Sequence, residues 1–468
     1  MLAWCVWPDN LAIRWIMIVL RPRLSDILSF EFLFILFLVS GAIKEAAFIA
    51  PLNARIDVTV LTVACGLLAG TVVVLRRPRL LNQDQTQFAL AFCLLVGLTG
   101  LSYAISGLPT DEMTLKLQKF AVFNGWAVMV PLLVVNTPTR VERLLRLFVA
   151  YTAIVILQAL VASQQQSSVV FVGVFGTNHY HALGRAAGIG GILAFGLLLL
   201  DSKKSHHVIY AGALACAIMV VFVSSMRQAL VGMAPAGFCL LWWMKRWRFS
   251  PLQVVRSSIA VVLAVVAFMF VKSDLLSEVN LDHVWRRMLA VFGVGGATRA
   301  TFVDSGRPQL WAEGIQLWMS HPFLGTGFGS HAHFSPSGMR HPHNFFVELS
   351  AELGIVGLIL GIALITPPIR RMFFKRRDRQ AWSLAITQAI CVFLFTCAMV
   401  SGDLTDNRLL FAFMALSLTA SEASKPTTAK RAMPFSTPKH STHASVHPRE
   451  NPASPPVNRS TLLGEQSC

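Results

Sequence analysis

Long apolar stretches, separated by short loops whose charge alternates, constrain this chain more than any other feature. About 20 apolar residues in helical form cross the hydrocarbon core of a bilayer. Twelve candidate stretches can be read, at about 27–43, 56–75, 87–107, 119–136, 144–163, 183–200, 208–224, 228–243, 257–272, 352–369, 382–401 and 408–422. In lipid each segment must satisfy its own backbone N–H and C=O groups, so such stretches fold as helices. The expected fold class is an all-α polytopic membrane protein with about twelve transmembrane helices and one large outward loop containing amphipathic helices.

Composition agrees. Of 468 residues, 54% are hydrophobic and 13% charged, whereas soluble domains carry about 25% charged residues. The formal charge of +17 would point to nucleic acid in a soluble chain. Here the cations sit in short loops between apolar runs, so no nucleic-acid partner is expected. One set of alternate loops and their edges holds nineteen Lys and Arg, among them Arg76, Arg77, Arg140, Arg143, Arg370 and Arg371. The opposite set holds six: Lys44, Arg55, Lys116, Lys119, Arg227 and Arg408. The positive-inside rule places the first set, and both termini, in the cytoplasm. The first apolar stretch, Leu11 to Leu20, contains Arg14 and reads as an interfacial helix, not a cleaved signal peptide. The eight cysteines avoid the long polar loop, so neither a disulfide framework nor a cysteine-based metal site is expected.

This orientation sorts the chain into four parts. Residues 1–272 hold spans one to nine with the interfacial segment, and 273–351 form the outward loop. Residues 352–422 hold spans ten to twelve, and 423–468 form a polar tail rich in Pro, Ser and Thr, expected to be disordered and cytoplasmic. The tail histidines, His440, His443 and His447, are spaced irregularly and carry no metal-site signature.

Unusual polar residues gather on the outward face. They include Thr177 to His181, Arg185, Arg227, and Asp403, Asp406 and Arg408. Polar groups at the membrane are costly and mark function by default. The most pointed is His343, which precedes Asn344, a good N-cap, and a long apolar run. A helix N-terminus disfavours a protonated neighbour and so holds His343 neutral, able to accept a proton. Two amphipathic helices are readable in the loop. One carries Trp285, Met288, Leu289 and Phe292; the other opens at Pro308 and shows Trp311, Ile315 and Trp318 on one face. Gly325, Gly327 and Gly329 make a turn whose N–H groups can approach a phosphate; no Walker lysine follows, so no NTPase is implied. Glu348 and Glu352 lie one turn apart and can orient a basic partner. Gly354 and Gly357 read as helix-packing glycines.

With these residues in view, the chain resembles the O-antigen ligase and O-antigen polymerase superfamily of polytopic membrane glycosyltransferases. The resemblance is carried by Ser305-Gly306-Arg307 with Leu310-Trp311, by His321 to Gly329, and by His343-Asn344 followed nine residues later by Gly354-x-x-Gly357. Ser224-Ser225-Met226-Arg227 resembles the family's Ser-Arg turn, with Met226 inserted. Residues 1–170 match only in hydropathy.

The resemblance implies transfer of a glycan from an undecaprenyl diphosphate carrier, at the outer face of the bacterial inner membrane. The acceptor would be lipid A-core for a ligase, or a growing glycan for a polymerase. It implies an inverting reaction with no metal, no nucleotide sugar and no cofactor. The assigned catalytic residues are His343, as base for the acceptor hydroxyl, and Arg307 and Arg227, as a bidentate clamp on the leaving diphosphate. Arg185, His341, Asn344, Gly325 and Gly327 are the expected substrate-binding residues. A lipid-linked sugar transporter is the alternative class. It should carry polar residues at mid-membrane in broken helices, whereas here they gather at one face.

Overall fold

The computed structural model describes residues 29–44, 46, 49–76, 80–107, 110–162, 180–200, 204–224, 226–245, 307–374, 382–401 and 403–419. Among these there is helix and no strand. The chain runs through α1 (Phe30–Ile43), α2 (Ala50–Asn53), α3 (Val58–Arg76), α4 (Gln83–Ile105) and α5 (Asp111–Gln118), then a π-helical turn (Lys119–Asn124) into α6 (Gly125–Leu133). It continues through α7 (Pro138–Ala162), α8 (Tyr180–Leu200), α9 (Lys204–Val223) and α10 (Arg227–Lys245). The later helices are α11 (Arg307–Ser320), α12 (His331–Phe334), α13 (Phe345–Phe374), α14 (Trp382–Val400) and, after a 3₁₀ turn (Thr405–Asn407), α15 (Arg408–Thr419).

Among the described residues six helices are long and apolar enough to cross a membrane: α3, α4, α7, α8, α13 and α14. Helices α1, α9 and α10 are apolar but shorter. The protein is a polytopic helical membrane protein; the count of twelve rests on the hydropathy reading. Four expected features lie outside the described residues: Leu11 to Leu20, the stretch 257–272, the helix at Trp285 to Phe292, and the tail.

Helix α13 differs from expectation at its start. It begins at Phe345, not at 352, because Asn344 caps it: Asn344 Oδ1 accepts from the N–H groups of Phe346 (3.0 Å) and Val347 (3.1 Å). It is then broken at Gly354, which adopts φ 64° and ψ −159°. Only glycine takes this conformation readily, and a Cβ there would lie 2.3 Å from the Phe323 carbonyl carbon. The backbone of the preceding turn occupies that space, so Gly354 makes a kink; at Gly357 an added Cβ would fall 2.3 Å from Leu353 Cβ of the same helix, across that kink.

Helices α10 and α14, α8 and α9, and α4 and α13 make the broadest contacts. Close approach comes from small residues, as membrane helices require. Phe393 of α14 lies between Gly188 of α8 and Gly232 of α10, where added Cβ atoms would fall 2.2 and 2.9 Å from its ring. A second knot of rings joins Phe92, Phe120, Phe328, Phe345 and Phe411, with centroids 5.6–6.4 Å apart. It ties α4, the π turn, α13 and α15 to the segment after α11.

Polar residues fall at opposite ends of these helices. At the basic end Asp84 is bonded by Arg371 Nε at 2.6 Å and by Arg370, and Glu31 faces Arg140 and Arg143 at 3.4 Å. Buried ions persist only when paired, and each carboxylate here meets two guanidinium groups. The opposite end holds the candidate site.

Candidate functional site

Helices α8, α10, α11 and α13 all start at this second end. Each N-terminus carries partial positive charge from unpaired N–H groups. The site is built where they meet. His181, in the first turn of α8, shares a 3.3 Å hydrogen bond between its Nδ1 and Gln228 Nε2. Gln228 follows Arg227, the residue that opens α10. Arg307 opens α11, and His343 lies just before the Asn344 cap of α13. The fields of Arg307, His181 and His341 all reach His343.

His343 has φ 59°, the left-handed region, and is the non-glycine residue that adopts it among those described. For an L-residue this costs about 1–2 kcal/mol, and such strain clusters at functional sites. The conformation turns the ring against His341, edge to face, with centroids 4.4 Å apart and planes at 80°. His343 Nδ1 is buried and has no hydrogen-bond partner among the described residues. Burial, then the positive fields of His341, Arg307 and His181, lower its pKa to about 4, against the pull of Asp403. The imidazole is therefore neutral at neutral pH. His341 is lowered too, first by burial and then by Lys116, with Asp403 and Asp406 opposing.

Lys116 on α5 binds two carboxylates of α13: Glu348 Oε1 at 2.6 Å, and Glu352 Oε1 and Oε2 at 2.8 and 2.9 Å. Both carboxylates are fully buried. Glu348 Oε2 also accepts from Leu404 N–H (3.0 Å), and Glu352 Oε2 from Gly329 N–H (2.9 Å). Burial disfavours the Lys116 cation, but Glu348, Glu352 and Asp403 outweigh it and hold its pKa well above the ordinary lysine range. This knot locks α5, the glycine turn and the 403–407 turn onto the half of α13 behind His343.

Other sequence-derived candidates take definite places. Arg185 reaches the carbonyls of Ser401 and Asp406, each at 3.5 Å, and its Nε is buried with no bond among the described residues. The Asn344 amide is committed: besides the cap, Nδ2 donates to Met399 O at 2.9 Å. The glycine turn is committed as well. Gly325 N–H donates to His321 O, Gly327 N–H to Glu352 O, and both glycines have positive φ. The Gly325 N–H closes the turn after α11 and the Gly327 N–H bonds to α13 beside its kink, so both are occupied. On α11 the buried side is Leu310, Glu313 and Gly314, while Ile315 is exposed. Glu313 Oε2 accepts from Ser335 and Ser337, anchoring the loop that leads to His341.

Lys116 and Gln228 escaped the sequence reading as site residues, and His181 stood there only within the outward polar cluster. No local pattern pairs Lys116 with Glu348, 232 residues away.

The fold and the site thus define a polytopic helical membrane protein with a cationic, histidine-bearing face at one end of its helices. Residues 212–362 match a family model described as O-antigen ligase; that window includes Arg227, Arg307, His341 and His343. The chain is also similar to "Exopolysaccharide production protein ExoQ" of Rhizobium meliloti (strain 1021), 26% identical over 254 residues, covering 50% of this chain and 54% of that protein. The chain spans about half the length of the curated relative it matches. Both comparisons agree with the resemblance to the O-antigen ligase and polymerase superfamily carried by the sequence motifs.

Proposed function

We propose that this protein is an inverting glycosyltransferase that moves a glycan from undecaprenyl diphosphate to an acceptor hydroxyl, acting as an O-antigen ligase on lipid A-core. In this reading the site faces the periplasm from the inner membrane, the orientation that the loop charges favour. The observation that carries it is His343: a strained, neutral imidazole whose buried Nδ1 has no hydrogen-bond partner among the described residues, within the field of Arg307 where helix N-termini meet.

The neutral His343 imidazole removes the proton from the acceptor hydroxyl as its oxygen attacks the anomeric carbon from the face opposite the diphosphate. The carbon–oxygen bond to the diphosphate breaks, and the leaving group departs as an anion. Arg307 and Arg227 stabilise that charge, helped by the helix N-termini; Arg185 completes the cationic rim, and the neutral His341 lines it. No step uses a metal ion. A base with a pKa near 4 is weak, but an arriving diphosphate raises it through its negative charge. Base strength then comes with the donor, which discourages proton abstraction without one. Beneath this face, α8, α9 and α10 line an apolar recess of about 380 Å³, bounded by Gly191, Ile192, Leu214, Met233 and Gly237. It offers a seat for the first isoprene units of the carrier.

The similarity to an exopolysaccharide production protein favours a second reading, a polymerase that extends a growing glycan. The test is transfer by purified protein in nanodiscs, with undecaprenyl diphosphate glycan, with and without lipid A-core, and with EDTA throughout. Ligated lipid A-core from wild type, absent from His343→Ala and Arg307→Ala, is expected. Chain extension with donor alone supports the polymerase; full activity in His343→Ala defeats the mechanism.

A further inference from the structure

Helix α11 does not sit on top of the bundle. Gly314 packs against Val347 and Pro342, and the chain at Phe323 and Leu324 packs against Gly354. Residues 314 to 324 therefore descend alongside 347 to 354, parallel to the first half of a membrane-spanning helix. From Phe345 to Gly354 that half advances about 13 Å at 1.5 Å per residue.

At the bottom, the break in α13 and the return turn satisfy each other. Pro322 O accepts from Ile355 N–H (2.8 Å) and Phe323 O from Val356 N–H (3.5 Å). Thr326 N–H donates to Ala351 O (2.9 Å) and Gly327 N–H to Glu352 O (3.1 Å). Irregular backbone at membrane depth is tolerated only when protein satisfies it. On the other side of α11, Ile315, Met319, Phe323 and Leu324 are exposed, and the strip runs on into Val356 and Ile359, exposed residues of the span itself. An apolar strip of this length facing water is rare on a soluble surface. Its continuity with the outer face of α13 identifies the occupant as lipid.

We propose that α11 and its return turn form a re-entrant segment, sunk into the leaflet on the side of the site, with the Ile315–Leu324 strip docked on acyl chains. Arg307 and His343, at the heads of two parallel helices, then lie at headgroup level. The proposal does not depend on the transferase reading.

Wild-type protein in phospholipid nanodiscs is exposed to hydroxyl radicals, and methionine oxidation is followed by mass spectrometry. Met319 is 73% exposed at the protein surface and Met339 only 44%. Without lipid cover Met319 oxidises faster; with it, Met319 oxidises about 3-fold or more slowly than Met339, since oxidation follows solvent exposure. Equal or faster oxidation of Met319 overturns the proposal. Photocrosslinking with p-benzoylphenylalanine in place of Phe323 identifies what covers the strip. A phospholipid adduct supports the proposal, and an adduct only to another protein segment overturns it.

Discussion

Replacing Lys116 by methionine tests whether its knot holds the site together. The lysine side chain is 11% exposed and the two carboxylates it binds are fully buried. The substitution keeps the length of the stem and removes three contacts of 2.6–2.9 Å. Glu348 and Glu352 keep their N–H donors from Leu404 and Gly329, but lose the cation that offsets their charge. Removing one partner from a buried ion pair costs about 3–5 kcal/mol, mostly from the charge left behind. That is the expected loss, measured by reversible unfolding in SDS mixed micelles and followed by the fluorescence of the eleven tryptophans. If stranded charge is the cause, adding Glu348→Gln and Glu352→Gln to Lys116→Met restores most of the stability, because the triple variant carries no charge at these three buried positions. A Lys116→Met loss below about 1 kcal/mol, the range of an exposed pair, or a triple variant less stable than the single one, refutes the reasoning.

Two further predictions concern His343. Because it sits at φ 59°, His343→Gly should be more stable than His343→Ala by about 1 kcal/mol in the same unfolding assay, the reverse of the usual order, since alanine is strained at positive φ; both should lack transfer activity. The acid limb of kcat/KM, which reports the free enzyme, should fall near pH 4, where His343 gains its proton. The limb of kcat should lie at higher pH, because bound diphosphate favours the imidazolium; coincident limbs in a pH–rate series would remove the donor-coupled base.

Hydropathy and charge alternation made the helical membrane class legible without coordinates, because lipid permits few solutions for a backbone that cannot bond to water. Asn344 as a cap was equally legible, since capping depends on a side chain and the next three residues. The one-turn spacing of Glu348 and Glu352 allowed a basic partner, and a packing or solvated role equally. Their partner was not legible: Lys116 lies 232 residues from Glu348, and no local pattern encodes that distance. Nor was Gly354. Its spacing suggests helix packing, but its role depends on the Phe323 backbone pressed against it. The same holds for Gly327, whose N–H is taken by the Glu352 carbonyl, 25 residues away, which only the fold brings near.

The sequence by itself therefore determined which segments leave water, which loops carry positive charge, and which residue types gather at one end of the helices. These follow from transfer free energies and short-range bonding, which each segment carries alone. Only the tertiary structure decided that His343 takes a left-handed backbone, that its ring meets His341 and feels Arg307, and that α11 descends beside α13. Those depend on contacts between segments far apart in the chain, where packing and electrostatic fields, not local propensity, choose the conformation.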